Sequence, residues 1–399
     1  MNFLIAPSFV VRFSTFGVRR STFGVPQSNA IQRRTMPWIP ALLMSAFAAL
    51  PAAERVITVH LAAPVATAPV LDGKLDDACW KTLPKTTTMY NFWNIDPTPA
   101  KSQSEFQIGY NSAGLYLSFR LWDDNMAKIK ASSTQRGDGS LWTDDSCEVY
   151  VDPTAAAVGF RRFTFNSLAT QAGTFQLDGA NVDQAWNPDG WQVATSKDDK
   201  GWNAEMFLPV KDLDRMPKAG ALWRFAMVRL AYSSDGLFAA SAPGAKFFNP
   251  GAFGWLYFLD QAEAAPLAVG KQLAGSISGD WLLPMGASAV ACKAGSVSIV
   301  PLSKPVTDSS AAVQQSLEAV KKLPGATAEA PTKELAAVAE ALGKIPQTIT
   351  DAAVFCKSVQ DASDLNQRLE NVEYALKVAE LLARNAPAIE KEKPAKSGF

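Results

Sequence analysis

Residues 104–124 read SEFQIGYNSAGLYLSFRLWDD. Phe106, Ile108 and Tyr110, then Leu115, Leu117, Phe119 and Leu121, alternate with smaller or polar residues on either side of Asn111-Ser112-Ala113-Gly114. A period of two interrupted by a turn signal predicts two half-buried strands folded back as an antiparallel hairpin. The same alternation recurs downstream in SCEVYVD (146–152), RRFTFN (161–166), WQVAT (191–195), WNAEMFLP (202–209), WRFAMVRLAY (223–232) and GWLYFLD (254–260). Asp152-Pro153, Asp189-Gly190 and Lys200-Gly201 punctuate these runs, and little helical periodicity lies between them. Many short strands at near-regular spacing predict a mainly β domain, an antiparallel β-sandwich over residues 61–261.

The chain changes character beyond it. Nine of the eleven tryptophans lie between Trp80 and Trp255, whereas after Trp281 the only aromatic residues are Phe355, Tyr374 and Phe399. Residues 262–306 are rich in small side chains and carry Pro301 and Pro305, which reads as an irregular or weakly β linker. From 307 to 386, three sets of apolar residues step by three and four: Val313, Leu317 and Val320; Leu335, Val338 and Leu342; Leu365, Leu369, Val372 and Leu376. Each set marks one face of a helix, so a small α-helical hairpin or bundle is expected, with N-caps at Thr307-Asp308, Thr332 and Ser363-Asp364. The Lys/Glu/Pro-rich tail, 387–399, reads as disordered.

Residues 1–53 read as a targeting segment. No acidic residue precedes Glu54, while Arg12, Arg19, Arg20, Arg33 and Arg34 load the start with positive charge ahead of the apolar run Trp38–Leu50. That run is short of the ~20 residues needed to span a bilayer, and Ala46-Phe47-Ala48 or Ala52-Ala53 would suit a signal peptidase. Export to the periplasm, the cell surface or the medium is the expectation.

Composition removes several functions. The chain has 399 residues, with 38 Lys plus Arg against 38 Asp plus Glu, so no overall field favours nucleic acid. A single histidine, His60, disfavours histidine-rich metal sites and bis-histidine haem ligation. Cys79, Cys147, Cys292 and Cys356 are too far apart for a C-x-x-C motif. In an exported chain they permit Cys79–Cys147 and Cys292–Cys356 disulfides, with buried free thiols as the alternative.

Several stretches then add up to a resemblance: VLDGKLDDACW (70–80), LWTDDSCEVYVDP (141–153), FTFN (163–166), GWNAEMFLPVKDL (201–213), LWRFAMVRL (222–230) and FNPGAFGWLYF (248–258). In order and spacing they resemble the family 9 carbohydrate-binding modules, β-sandwiches related to DOMON domains. The resemblance implies a sugar held between two aromatic rings, since the C–H faces of a pyranose pack on a π surface while its hydroxyls need polar partners. On that resemblance the first ring is Trp142, and Phe247 or Phe248 stands in for the second. Glu148 would accept hydroxyl hydrogen bonds, and strand alternation puts it on one face with Ser146 and Tyr150, opposite Cys147 and Val149. Its structural alternative is an ion pair with Arg229 or Arg120. Where the family has an arginine on the following strand this chain has Thr164, with Arg161 and Arg162 beside it. Asn166 would donate to a sugar hydroxyl or else stabilise a turn. Trp93 and Trp186 sit in predicted loops and are candidates for the site rim. Trp80, Trp202, Trp223 and Trp255 read as packing residues.

Asp123, Asp124, Asp144 and Asp145 offer oxygen ligands for a structural calcium, without the fixed spacing of a calcium loop. The functional expectation is non-catalytic binding of a poly- or oligosaccharide by an exported module serving polysaccharide catabolism. The helical part would be an interaction, attachment or self-association element. The alternatives are a structural or protein-interaction domain of the envelope with a decayed cleft, and a part in a glycoside hydrolase system with Glu148 and Glu205 as an acid/base pair.

Overall fold

A computed structural model of the chain describes residues 55–391, apart from 93–96, 178–180, 235–236, 246, 248 and 263–264. The described residues belong to one compact unit. Residues 1–54, which include the stretch read as a targeting segment, and residues 392–399 lie outside them.

Two β layers face each other. The first is built from β5 (Ser104–Asn111), β6 (Gly114–Trp122), β12 (Gly201–Pro209) and β11 (Gln192–Asp198), with β3 (Lys85–Thr86) at the edge of β5. The second runs β10 (Val182–Asp183), β9 (Gln171–Gln176), β8 (Phe160–Asn166), β7 (Ser146–Asp152), β13 (Leu222–Ala231) and β15 (Gly254–Phe258). The far half of β13 pairs with β14 (Leu237–Ala240), which pairs with β4 (Tyr90–Asn91).

These neighbours are antiparallel, as the hairpin-like spacing predicts, but the two layers meet at a parallel strand, β2 (Val59–Pro64). Val59–Ala62 pair with β15 and Ala62–Pro64 pair with β5. One strand therefore leaves one sheet and enters the other, linking both layers without closing them.

Alternation decides what lies between the layers. Phe119 of β6 meets Phe165 of β8 (5.5 Å between ring centres), Phe165 meets Trp202 of β12 (6.0 Å), and Phe106 of β5 meets Phe225 of β13 (5.8 Å). Cys147, Val149 and Val151 of β7 point into this core, so Glu148 and Tyr150 point out of it. Trp80, Trp202 and Trp223 are buried, and Trp255 is partly buried in a satellite cluster.

The stretch expected to be a linker is ordered instead. It contains α2 (Pro266–Ala274) and three strands, β16 (Trp281–Met285), β17 (Ser288–Lys293) and β18 (Ser296–Pro301), which form a second sheet with β1 (Arg55–Val56). Trp281, Leu283, Val290 and Cys292 pack toward α2 and the sandwich, while Leu282, Ala289 and Ala291 pack toward the C-terminal helices. β16 and β17, buried on both faces, carry no polar alternation, which is why their sequence reads as featureless.

The helical region is α3 (Ser303–Val320), α4 (Glu329–Leu342) and α5 (Ala352–Lys391); α1 (Val210–Leu213) is a single turn after β12. The three apolar stripes meet as expected: Val313, Leu317, Val320, Leu335, Val338, Leu365, Leu369 and Leu376 share one buried cluster. The caps are corrected. Thr307-Asp308 lie inside α3, whose first turn accommodates Pro305, and Thr332 lies inside α4. Ser363-Asp364 lie inside α5, which starts where Asp351 Oδ1 accepts the Ala353 and Val354 N–H groups at 2.9 Å. That helix continues to Lys391, into the stretch expected to be disordered.

All four cysteines are free thiols. Cys147 lies in the inter-layer core, whereas Cys79 packs with the cluster outside it. Cys292 faces the sandwich side of the second sheet, and Cys356 Sγ lies 3.6 Å from the Tyr90 hydroxyl. Burial raises the Cys356 thiol to a pKa of about 11.

Candidate carbohydrate site

The outward face of β7 presents Glu148 and Tyr150 beneath a cover of aromatic residues that includes Phe238 of β14, Phe247 and Phe253. Glu148 is fully buried. Its Oε2 accepts the Tyr150 hydroxyl and its Oε1 accepts Arg162 Nη2. The expected ion pair with Arg229 or Arg120 is thus replaced: Arg229 bonds Asp123 at 2.9 Å and Arg120 bonds Asp198 at 2.7 Å. Thr164 is the register partner of Glu148, but Arg162, two residues along on the same face, supplies the cation. Burial lowers the pKa of Arg162, and the attraction of Glu148 and Tyr150 outweighs that and raises it overall. Burial first, and then the Glu148 charge, push the Tyr150 hydroxyl well up, so it stays a donor at neutral pH.

Trp142 sits on the single 3₁₀ turn Leu141–Thr143 that delivers the chain into β7. Its side chain is 51% exposed, against full burial for Trp202 on β12. The Trp142 carbonyl accepts the Tyr232 hydroxyl at 3.1 Å, and the Thr143 carbonyl accepts Lys130 Nζ at 2.7 Å. Tyr232 leans edge-on against Phe238 (5.4 Å), and Phe247 packs on Phe238 (6.2 Å) and Phe92 (4.4 Å). Burial and then the charges of Glu148 and Asp145 raise the Tyr232 pKa. An exposed indole, a phenol and a paired carboxylate therefore gather at one end of the second layer.

The acidic residues around this end hold its loops. Asp144 accepts the N–H groups of Ser132 and Ser133 at 2.9 Å and Asn166 Nδ2 at 3.0 Å. Asp145 accepts Lys130 N–H at 2.7 Å and Ser233 N–H at 3.0 Å, so it ties together the loops that carry Trp142 and Tyr232. Asp123 accepts Arg229 and the Asn125 N–H at 2.8 Å. With oxygens aimed at backbone N–H groups and a guanidinium, Asp123, Asp144 and Asp145 do not fit a calcium site, and Asp124 stands exposed. No three His, Cys, Asp or Glu side chains gather as a metal set among the described residues.

Other expected site residues are placed differently. Asn166 donates to the Ser133 carbonyl (2.9 Å) and Asp144, and accepts from the Leu168 and Thr170 N–H groups (both 3.0 Å). Its amide has no spare hydrogen-bonding capacity, and it pins a turn. Trp186 packs on Phe163 and Phe175, at the edge of the inter-layer core, because Phe163 points inward from β8 while Arg162 points outward. Trp93 and Phe248 lie outside the described residues. Glu205, the other half of the suggested acid/base pair, belongs to the first layer. It accepts Trp80 Nε1 (2.8 Å) and the N–H groups of Asp72 (3.0 Å) and Gly73 (2.9 Å). Gly73 has φ +81°, and a Cβ there would lie 2.5 Å from the Thr195 carbonyl carbon, so the loop closes only with glycine. His60 lies in the core against Phe106 and Phe225 (5.3 Å each), with its nitrogens near Thr86 Oγ1 (3.3 Å) and Ser241 Oγ (3.2 Å). Burial lowers its pKa to about 3.

Sequence reasoning named Tyr150 and Arg162 only as neighbours of Glu148 and Thr164, and it did not single out Tyr232. The signal for Arg162 was present, since the alternation in RRFTFN puts Arg162, Thr164 and Asn166 on one face.

Comparison with known proteins fits this geometry. The model of a family described as carbohydrate family 9 binding domain-like matches residues 71–257. Among solved structures, a family 9 carbohydrate-binding module from Caldicellulosiruptor kristjanssonii in complex with cellotriose shares 14% identity, covering 51% of this chain and 94% of that one, with a TM-score of 0.39. A family 9 module from the same organism in complex with glucose also shares 14% identity, covering 53% of this chain and 99% of that one, with a TM-score of 0.38. No curated protein matches. Over residues 71–257 the chain is therefore similar to the family described as carbohydrate family 9 binding domain-like.

Proposed function

We propose that the chain binds a poly- or oligosaccharide without catalysis, at the end of the second layer where Trp142 and Tyr232 stand beside the Glu148–Arg162 pair. The observation that carries this reading is Trp142, a large apolar ring left half exposed on a turn that Asp144 and Asp145 hold in place. A pyranose would lie against that indole, with Phe247 on the far side of the rim, and its hydroxyls would reach Tyr232 and Lys130. Glu148 and Arg162 form the polar floor. A hydroxyl would exchange with Tyr150 for the carboxylate, since a side-chain donor can rotate away where a backbone donor cannot.

The same reading includes export, carried by the Arg-rich start and the Trp38–Leu50 run, and service in polysaccharide breakdown alongside a hydrolase carried elsewhere. The C-terminal helices would then attach or self-associate the module, with Tyr374, Leu381 and Leu382 left exposed on α5.

One observation favours a second reading. Both Glu148 oxygens already have partners, and Asn166 is wholly committed, so a domain with a decayed cleft that serves protein interaction is the competitor. Affinity electrophoresis of the full chain through gels containing cellulose derivatives, xylan or mixed-linkage glucan separates the two. Retardation by at least one glycan, relieved by free glucose or cellotriose, is the expected result. Unretarded migration of folded protein in every gel selects the competitor.

A further inference from the structure

A cleft of about 510 Å³ opens between the sandwich and α5, and Trp142 is not among the residues that line it. Its walls come from Arg55 to Thr58, from Arg224 on β13, from Trp255 on β15 and from Gln360 and Ser363 on α5. The size suits a monosaccharide or another small organic molecule, within the roughly 300–1,000 Å³ common for such sites.

Charge distinguishes this cleft from the rest of the surface. Two guanidinium groups line it, and no Asp or Glu among the described residues does. The Arg224 guanidinium lies flat on Trp255, 3.4 Å from the ring centre, and its one hydrogen bond is a 3.3 Å contact to the Phe253 carbonyl. Arg224 Nε is buried without a partner. Arg55, exposed at the mouth, donates to the Ser278 carbonyl at 3.1 Å. Neither arginine has a carboxylate at ion-pair distance among the described residues, unlike Arg120, Arg161, Arg162 and Arg229. The nearest acid acting on Arg224, Asp152, spends its oxygens on Thr154 and the Ala157 N–H. Burial lowers the Arg224 pKa, and the Arg55 charge lowers it further against the pull of Asp152.

We propose that this cleft is a second binding site, for a small anionic ligand whose carboxylate or phosphate bridges Arg55 and Arg224. A planar guanidinium presents paired N–H donors that match either group, and stacking on Trp255 holds the Arg224 fork in one orientation. Gln360 and Ser363 supply polar contacts from the helix, so the ligand would bridge the sandwich and α5. The cleft shares Phe253 with the aromatic cover over Glu148 but is not lined by Trp142, and its ligand is recognised by charge rather than by stacking.

Calorimetric titration of the full chain tests it, with inorganic phosphate, glucuronate and neutral glucose as probes on a Trp142→Ala background that removes the rim indole. At least one anion is expected to bind saturably while glucose does not, and the binding should weaken as salt rises. Phosphate alone would identify a phosphate site, and glucuronate alone a carboxylate site. Arg224→Gln and Arg55→Gln should each weaken it about tenfold or more, the loss of a charged hydrogen bond. Arg55 is exposed, so its variant folds even where Arg224→Gln does not. Absence of binding by both anions to folded protein, equal binding by glucose, or affinity unchanged in Arg55→Gln would overturn the proposal.

Discussion

Glu205 and Glu148 are fully buried glutamates on the outward faces of opposite layers, and both belong to stretches that carry the family resemblance. Their partners differ. Glu205 accepts two backbone N–H groups and an indole that is itself buried, Trp80, so its geometry is fixed by the fold. Glu148 accepts a phenol and a guanidinium, both on rotatable side chains, close to a half-exposed tryptophan. A carboxylate held by backbone donors staples a loop. One held by side-chain donors under an open aromatic rim can exchange its partners for a ligand. The same residue type thus marks structure in one layer and the proposed site in the other.

Substituting the staple should have the largest effect. Glu205→Leu strands three donors, those of Gly73 and Trp80 buried, and the loss is expected to be about 3–5 kcal/mol by urea denaturation. Whatever folded protein remains should keep its sugar affinity, because the Trp142 rim belongs to the other layer. Lost affinity with intact stability would mean that Glu205 belongs to the site.

Arg162→Met should cost somewhat less, about 3 kcal/mol at pH 7, because Glu148 is left buried with Tyr150 alone. Unlike Glu205→Leu, it should also weaken sugar binding in the protein that still folds. Calorimetry beside chemical denaturation separates the two effects, and unchanged affinity would reduce Arg162 to a structural counter-ion.

The seam between the layers gives a smaller, pH-dependent effect. His60 on β2 has a folded pKa of about 3 against 6.5 unfolded, so the unfolded chain takes up a proton that the folded chain refuses. The stability this confers is complete above pH 6.5 and is lost as pH falls toward 3. Between pH 6.5 and 5 the loss should be about 2 kcal/mol, at ~1.4 kcal/mol per pH unit, and it should vanish in His60→Gln. An equal slope in that variant would place the titrating group elsewhere.

What the sequence disclosed follows the same division. The inward and outward faces of β7 were legible from SCEVYVD, because alternation survives wherever one face packs against a core and the other does not. The partner of Glu148 was harder to read. Register puts Thr164 directly across, and only the length of the Arg162 side chain brings a cation from two residues away. β2 was missed because its partners are near Ile108 and Trp255, far along the chain, and no local pattern announces a strand that serves two sheets. In the second sheet, β16 and β17 were missed because both their faces are buried. For Asn166 the sequence left sugar contact and turn stabilisation side by side, and the bonds from the Leu168 and Thr170 N–H groups favour the turn.

The central claim is that the open end of the second layer is the sugar site, and Trp142→Ala tests it most directly. Isothermal titration of the full chain with cellotriose, beside the variant, reads both affinity and, through a matched urea series, stability. Sugar binding should fall about tenfold or more while stability moves by no more than about 0.5 kcal/mol, since the side chain is half exposed. Binding that survives Trp142→Ala unchanged would contradict the account and move the sugar to another surface.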